Sequence, residues 1–179
     1  METKTDAVEL QRPDPAEYAS YYERYISQVA PGTNILDLLA AQSAETVALL
    51  GGIEESRGNR RYVPGKWSIN EVVGHVIDTE RVFAYRILRF SRNDATALEG
   101  FDQDQYVANA DFDSASLEGL CAEFADVRRS TIALLRHLQP GAWLRCGIAN
   151  GNKMSVRALA YIVAGHERHH MAILRERYL

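Results

Sequence analysis

The chain is short of the features that mark secreted, membrane-spanning or nucleic-acid-binding proteins. Two cysteines, Cys121 and Cys146, in 179 residues make neither a disulfide framework nor a metal-thiolate cluster. They suit a reducing cytoplasm, where a lone cysteine serves as a small core residue. No apolar run approaches the length of a membrane span. Residues 1–6 (METKTD) are polar, so no secretory signal is expected. Basic charge is not in excess: 20 Lys and Arg stand against 24 Asp and Glu, a formal net charge of −4. A nucleic-acid surface needs clustered cations, whereas the basic runs here, residues 57–61 and Arg128-Arg129, are short and read as solvated. Strand-like alternation is nearly absent, and there is no internal repeat. These absences leave a soluble, cytoplasmic helical protein, long enough for one well-buried core and short for two.

Four long amphipathic patterns fill most of the chain. The first, residues 34–50, puts Ile35, Leu38, Leu39, Gln42, Thr46 and Leu49 on one stripe and stops at Gly51-Gly52. The second, residues 68–92, opens on S-I-N-E, a capping box in which Ser68 and Glu71 satisfy each other's backbone donors. The third begins near Ser116 and ends at Pro140-Gly141; the fourth runs from Ser155 to the C-terminus. Each has about five or six turns, roughly 25–35 Å. The fold class that follows is all-α, a four-helix bundle. Residues 93–115 are long for an up-down connection and predict a crossover, so that the second and third helices need not be antiparallel neighbours. Residues 1–33 read as an N-terminal arm whose short helix, started by Pro13 and Pro15, docks Tyr18, Tyr21, Tyr22 and Tyr25 onto the core, with a binding surface as the alternative use of this tyrosine stripe. Residues 34–179 are the bundle domain.

The chemistry-bearing residues are histidines. His166 and His170 lie four apart on the apolar stripe Leu159, Val163, His166, His170, Ile173, at the spacing by which one helix gives two imidazoles to one ion. His75 shares an inward stripe of the second helix with Val72, Thr79, Val82 and Arg86. If the three meet, they form a three-nitrogen site with an open position for water or substrate, suited to Zn, Ni, Fe or Co. The competing account is three hydrogen-bonded packing histidines, and spacing alone leaves both open. His137, at the end of the third helix, favours the C-terminal dipole. Residues 166–170 also satisfy the H-E-x-x-H pattern of zinc peptidases. The extended pattern, however, requires Gly at 173 and His at 176, where this chain has Ile173 and Glu176. Glu167 remains a candidate catalytic base, with a solvent-facing carboxylate as the alternative. Asp78 and Glu80 could accept imidazole N–H groups, and Arg86 could hold an anionic substrate group. For these three the alternative is surface salt bridges.

The segments PGKWSINEVVGH (residues 64–75) and AGHERHH (residues 164–170) resemble the second-helix start and last-helix signature of the DinB/YfiT-like superfamily. The resemblance extends from about residue 34 to residue 178. It implies a four-helix bundle with a crossover, a divalent metal held by His75, His166 and His170 with Zn or Ni foremost, and frequent homodimers. It implies either metal-dependent hydrolysis of a small molecule or S-transfer from a low-molecular-weight thiol such as bacillithiol or mycothiol. Cys121 and Cys146 are not at ligand positions, so such a thiol would be a cosubstrate. The alternative is a non-catalytic bundle whose metal is structural or vestigial and which serves a protein partner.

Overall fold

In the computed structural model, residues 11–179 are described. The polar start at residues 1–6, and with it the expectation of no secretory signal, lies outside the described residues. The arm consists of two 3-10 turns, Pro15–Glu17 and Ser20–Tyr22, and a single turn of helix, α1 (Glu23–Ile26). Then follow α2 (Ile35–Gly51), α3 (Ile69–Ser91), α4 (Gln103–Ala110), α5 (Leu117–Arg136), strands β1 (Cys146–Ala149) and β2 (Asn152–Ser155), and α6 (Val156–Ile173), prolonged by a π-helical turn, Leu174–Tyr178. No helix among the described residues is long and apolar enough to cross a membrane.

Local sequence chemistry sets the helix starts. The Asn34 side chain accepts from the backbone of Leu36 and Asp37, Ser116 from Gly119, and Ser155 from Ala158. The capping box of α3 forms as expected: Glu71 N–H donates to Ser68 Oγ at 3.0 Å, and Ser68 N–H donates to Glu71 Oε2 at 2.7 Å. Two features depart from the sequence reading. The long connection carries a helix of its own, α4, and residues 146–155 form an antiparallel hairpin. Its turn is Asn150-Gly151, both at positive φ (49° and 71°), which the primed hairpin turns require.

The four long helices α2, α3, α5 and α6 make the bundle. α3 packs on α5 and α6, and α2 packs on the same two, so α2 and α3 face each other across the diagonal. Two apolar clusters divide its length. One takes Ile35 and Leu39 of α2, Phe83, Ile87 and Phe90 of α3, Ile132 and Leu135 of α5, and the first half of α6. The other takes Leu50 of α2, Ile69 to Ile77 of α3, Leu117 to Phe124 of α5, and Met171 of α6. α3 and α5 therefore enter the same cluster first and run in the same sense, although they are neighbours. Reaching that arrangement is what the long connection is for.

Between the clusters every bundle helix places buried polar residues: Gln42 and Thr46, His75, Thr79 and Glu80, Arg128 and Thr131, His166, Glu167 and His170. A polar layer in mid-bundle costs desolvation free energy unless each member is paired. How it is paired defines the site.

Candidate metal centre

His75, His166 and His170 come together inside this layer. Their nearest ring nitrogens all lie within 4.8 Å of one another, and all three residues are buried. His75 Nε2 and His166 Nε2 are 3.1 Å apart; the ring centroid of His170 is 4.8 Å from that of His75 and 4.5 Å from that of His166. The α6 pair meets because i and i+4 side chains stack on one helix face. α3, packed against that face, delivers His75 from the other side.

The cluster's surroundings control its protonation. Burial, with His169 nearby, lowers His75 to about 4. Burial and then the neighbouring histidines push His166 and His170 well below their ordinary 6.5. Neutral imidazoles, each with a free lone pair, are the ligand-competent form. Thr79 Oγ1 stands 3.4 Å from His75 Nδ1, steering the other nitrogen, Nε2, towards His166. The His170 ring makes no hydrogen bond to another side chain among the described residues, and the residue is only 9% exposed. Its ring borders a hollow, where water or an ion can reach it. Two nitrogens bound at about 2.0–2.1 Å to one tetrahedral ion sit roughly 3.3 Å apart, close to the 3.1 Å between His75 and His166. The donor set thus fits a divalent cation, and three nitrogens leave room for an exogenous ligand.

The remaining candidates from the sequence lie elsewhere. Glu167 turns to the next helix: Thr46 Oγ1 donates to its Oε1 at 2.6 Å and Arg128 Nη1 to its Oε2 at 2.6 Å. Glu80 accepts from Arg128 Nε at 2.9 Å and Nη2 at 2.8 Å, not from an imidazole. Asp78 is half-buried at the bundle surface and pairs with Arg81 at 3.4 Å. Arg86 is buried, donates to Glu99 O at 3.2 Å, and lies against the rings of Phe83 and Phe101. Arg128, read from sequence as solvated, has no exposure at all. Its stripe, Leu120, Phe124, Arg128, Ile132, Leu135, was the available signal. Its neighbour Arg129 is exposed, as expected.

Two hollows reach the cluster from different sides. One of about 290 Å³ touches His166 and Thr79 and is walled by arm tyrosines. Another of about 450 Å³ touches His170 and is bordered by Tyr62, Lys66 and Trp67. The sequence reading docked the arm on the core, and Tyr18, Tyr25, Ile26 and Val29 do join it. The arm also borders the site. Tyr25 lies edge-on to His166 at 5.3 Å between centroids. Gly165 allows this approach, because a Cβ there would come within 2.0 Å of the Tyr25 carbonyl oxygen.

Comparison with known proteins agrees with this architecture. The sequence model of the DinB superfamily matches residues 38–174. Among solved structures, YfiT from Bacillus subtilis superposes with a TM-score of 0.73 at 18% identity, over 97% of this chain and 95% of that one. It is described as a probable metal-dependent hydrolase with an unusual four-helix bundle topology. No match is found among the curated proteins.

Proposed function

We propose, for a chain that belongs to the DinB superfamily, metal-dependent hydrolysis of a small molecule, with His75, His166 and His170 as the protein ligands of one divalent cation, Zn or Ni foremost. The observation that carries this reading is the convergence of three buried imidazoles from two helices, with ligand atoms within 4.8 Å of one another. The description of YfiT as a probable metal-dependent hydrolase supports it.

When bound, such a cation supplies Lewis-acid chemistry, polarising a carbonyl or phosphoryl oxygen and acidifying water. The chain's own residues prepare the place. Low-dielectric surroundings keep the imidazoles neutral, and Thr79 fixes the His75 ring. One hollow borders His166 and the other His170, so an organic compound and water can approach the cluster from two sides. Glu167, with both oxygens engaged by Thr46 and Arg128, serves to hold α6 against α5 and α2 rather than to move protons. A second reading, S-transfer from a low-molecular-weight thiol, draws support from the hollow on the His170 side, because that reaction must seat two organic compounds.

Elemental analysis of the untagged protein beside His166→Ala tests the central claim. About one equivalent of divalent metal is expected in the parent and none in the variant, with helical circular dichroism retained in both. A parent that is metal-free and takes up neither Zn nor Ni sinks the hydrolase and the transferase readings together. With metal present, turnover of model esters that requires added thiol selects S-transfer, and turnover in water alone selects hydrolysis.

A further inference from the structure

The hollow beside His166 has a wall chemistry specific enough to name what it accepts. Its apolar wall is aromatic: Tyr21, Tyr22 and Tyr25 from the arm, Phe83 from α3, and Phe101 from the following connection. Tyr22 and Phe83 meet edge to face, with centroids 6.2 Å apart at 76°, leaving ring faces and edges for a further aromatic group. Its polar wall is Thr79, Gln103, Asn150 and Asn152, all neutral side chains able to donate or accept. No Asp, Glu, Lys or Arg lines it. Two cations pack behind its rings: Arg24 over Tyr21 at 3.9 Å, and Arg86, 3% exposed, against Phe83 and Phe101 with a hydrogen bond to Glu99 O. Neither guanidinium lines the hollow itself.

A charged ligand would leave water for neutral walls, a transfer that costs free energy without a counter-charge. An uncharged planar ring loses little and gains ring contacts. At about 290 Å³, the hollow exceeds the ~150 Å³ cavity that takes up benzene, so one ring with a short substituent fits. The walls are also held in place before any ligand arrives. Leu98 N–H donates to Ile148 O, and Asn150 N–H donates to Leu98 O, each at 2.9 Å. These bonds join the connection bearing Phe101 to the hairpin bearing Asn150 and Asn152. His166 belongs both to this wall and to the imidazole cluster, so a ring seated here presents its substituent to the three nitrogens.

We propose that this cleft is the substrate site and that it takes an uncharged single-ring aromatic ester or amide; the ester or amide part rests on the hydrolase reading above, whereas the ring site does not. Benzamide is the probe, followed by ligand-observed NMR on the full chain, with metal content measured in the same preparations. Saturable benzamide binding is expected in both metal-loaded and metal-stripped protein. Cyclohexanecarboxamide should bind about threefold more weakly for want of ring contacts, and benzoate and benzylammonium about tenfold more weakly for the cost of desolvating charge. Phe101→Ala and Tyr21→Ala, in half-buried and exposed side chains, should each weaken benzamide about threefold. Cys121→Ser, on the distant α5 surface, should leave it unchanged. Absence of benzamide binding, tighter binding of benzoate, or indifference to both aromatic substitutions overturns the proposal. Benzamide binding by a parent protein that neither contains nor takes up a divalent metal would sink the hydrolase reading alone. Metal without benzamide would sink the cleft assignment alone.

Discussion

A guanidinium removed entirely from water must be neutralised where it lies. Arg128 meets that demand with Glu80, Glu167 and the Leu39 carbonyl, joining α5 to α3, α6 and α2 at one point. Burial acts against its charge, but the two carboxylates outweigh it and keep it cationic. Burial pushes the Glu167 carboxyl up from its ordinary 4.5 against the pull of Arg128. Deleting the cation leaves two buried carboxylates facing each other. Arg128→Met is therefore expected to lose about 3–5 kcal/mol, the range for breaking a buried pair by removing one partner, read from urea unfolding midpoints. Replacing all three groups, Arg128→Met with Glu80→Gln and Glu167→Gln, should recover most of that loss, because no uncompensated charge remains. A triple variant as unstable as the single one would show that Arg128 contributes by packing rather than by pairing.

The arm borders the site, and an ionic latch adds to the apolar anchorage of Tyr18, Tyr25, Ile26 and Val29. Glu17 accepts from Ser155 Oγ at 2.6 Å and from Arg157 Nε at 2.8 Å, latching the arm to the end of β2 and the start of α6. Burial alone would raise the Glu17 pKa, but the hydrogen bonds from Arg157 and Ser155 prevail and lower it below 4.5. A carboxyl depressed in the folded state contributes stability that is complete above its unfolded pKa and lost as pH falls through the folded value. Glu17→Gln should therefore unfold at lower urea than the parent at pH 7. The gap should persist down to about pH 5 and narrow below the ordinary value of 4.5, as the parent's own Glu17 takes up a proton. A gap that stayed constant from pH 7 to pH 3 would mean that the latch does not depend on ionisation.

At the scale of the whole molecule, the readable parts of the sequence were those governed by one helix at a time. The 3.6-residue period exposed four bundle helices, and the i,i+4 pair His166 and His170 announced its own face. The same period held the evidence for Arg128, but a charge on an apolar stripe looks solvated until its two carboxylates, 48 and 39 residues away, are in place. Asn150-Gly151 carried a hairpin signal, overshadowed by the scarcity of strand-like alternation around it. The aromatic cleft showed locally only as the arm's tyrosine stripe, because its other walls come from separate segments that meet only after folding. The proposed metal site would have a thermodynamic consequence at this scale, since its three histidines come from α3 and α6 in the polar layer between the two apolar clusters. An ion that binds the folded state and not the unfolded one stabilises it by about 2.7 kcal/mol at one hundred times its Kd. For a chain of this size that corresponds to roughly 5–10 °C in Tm. Melting curves with Zn or Ni should shift upward by that amount in the parent, return on adding chelator, and stay fixed in His170→Ala. An equal shift in parent and variant would place the ion outside the three histidines, because losing one of three ligands would then have cost nothing.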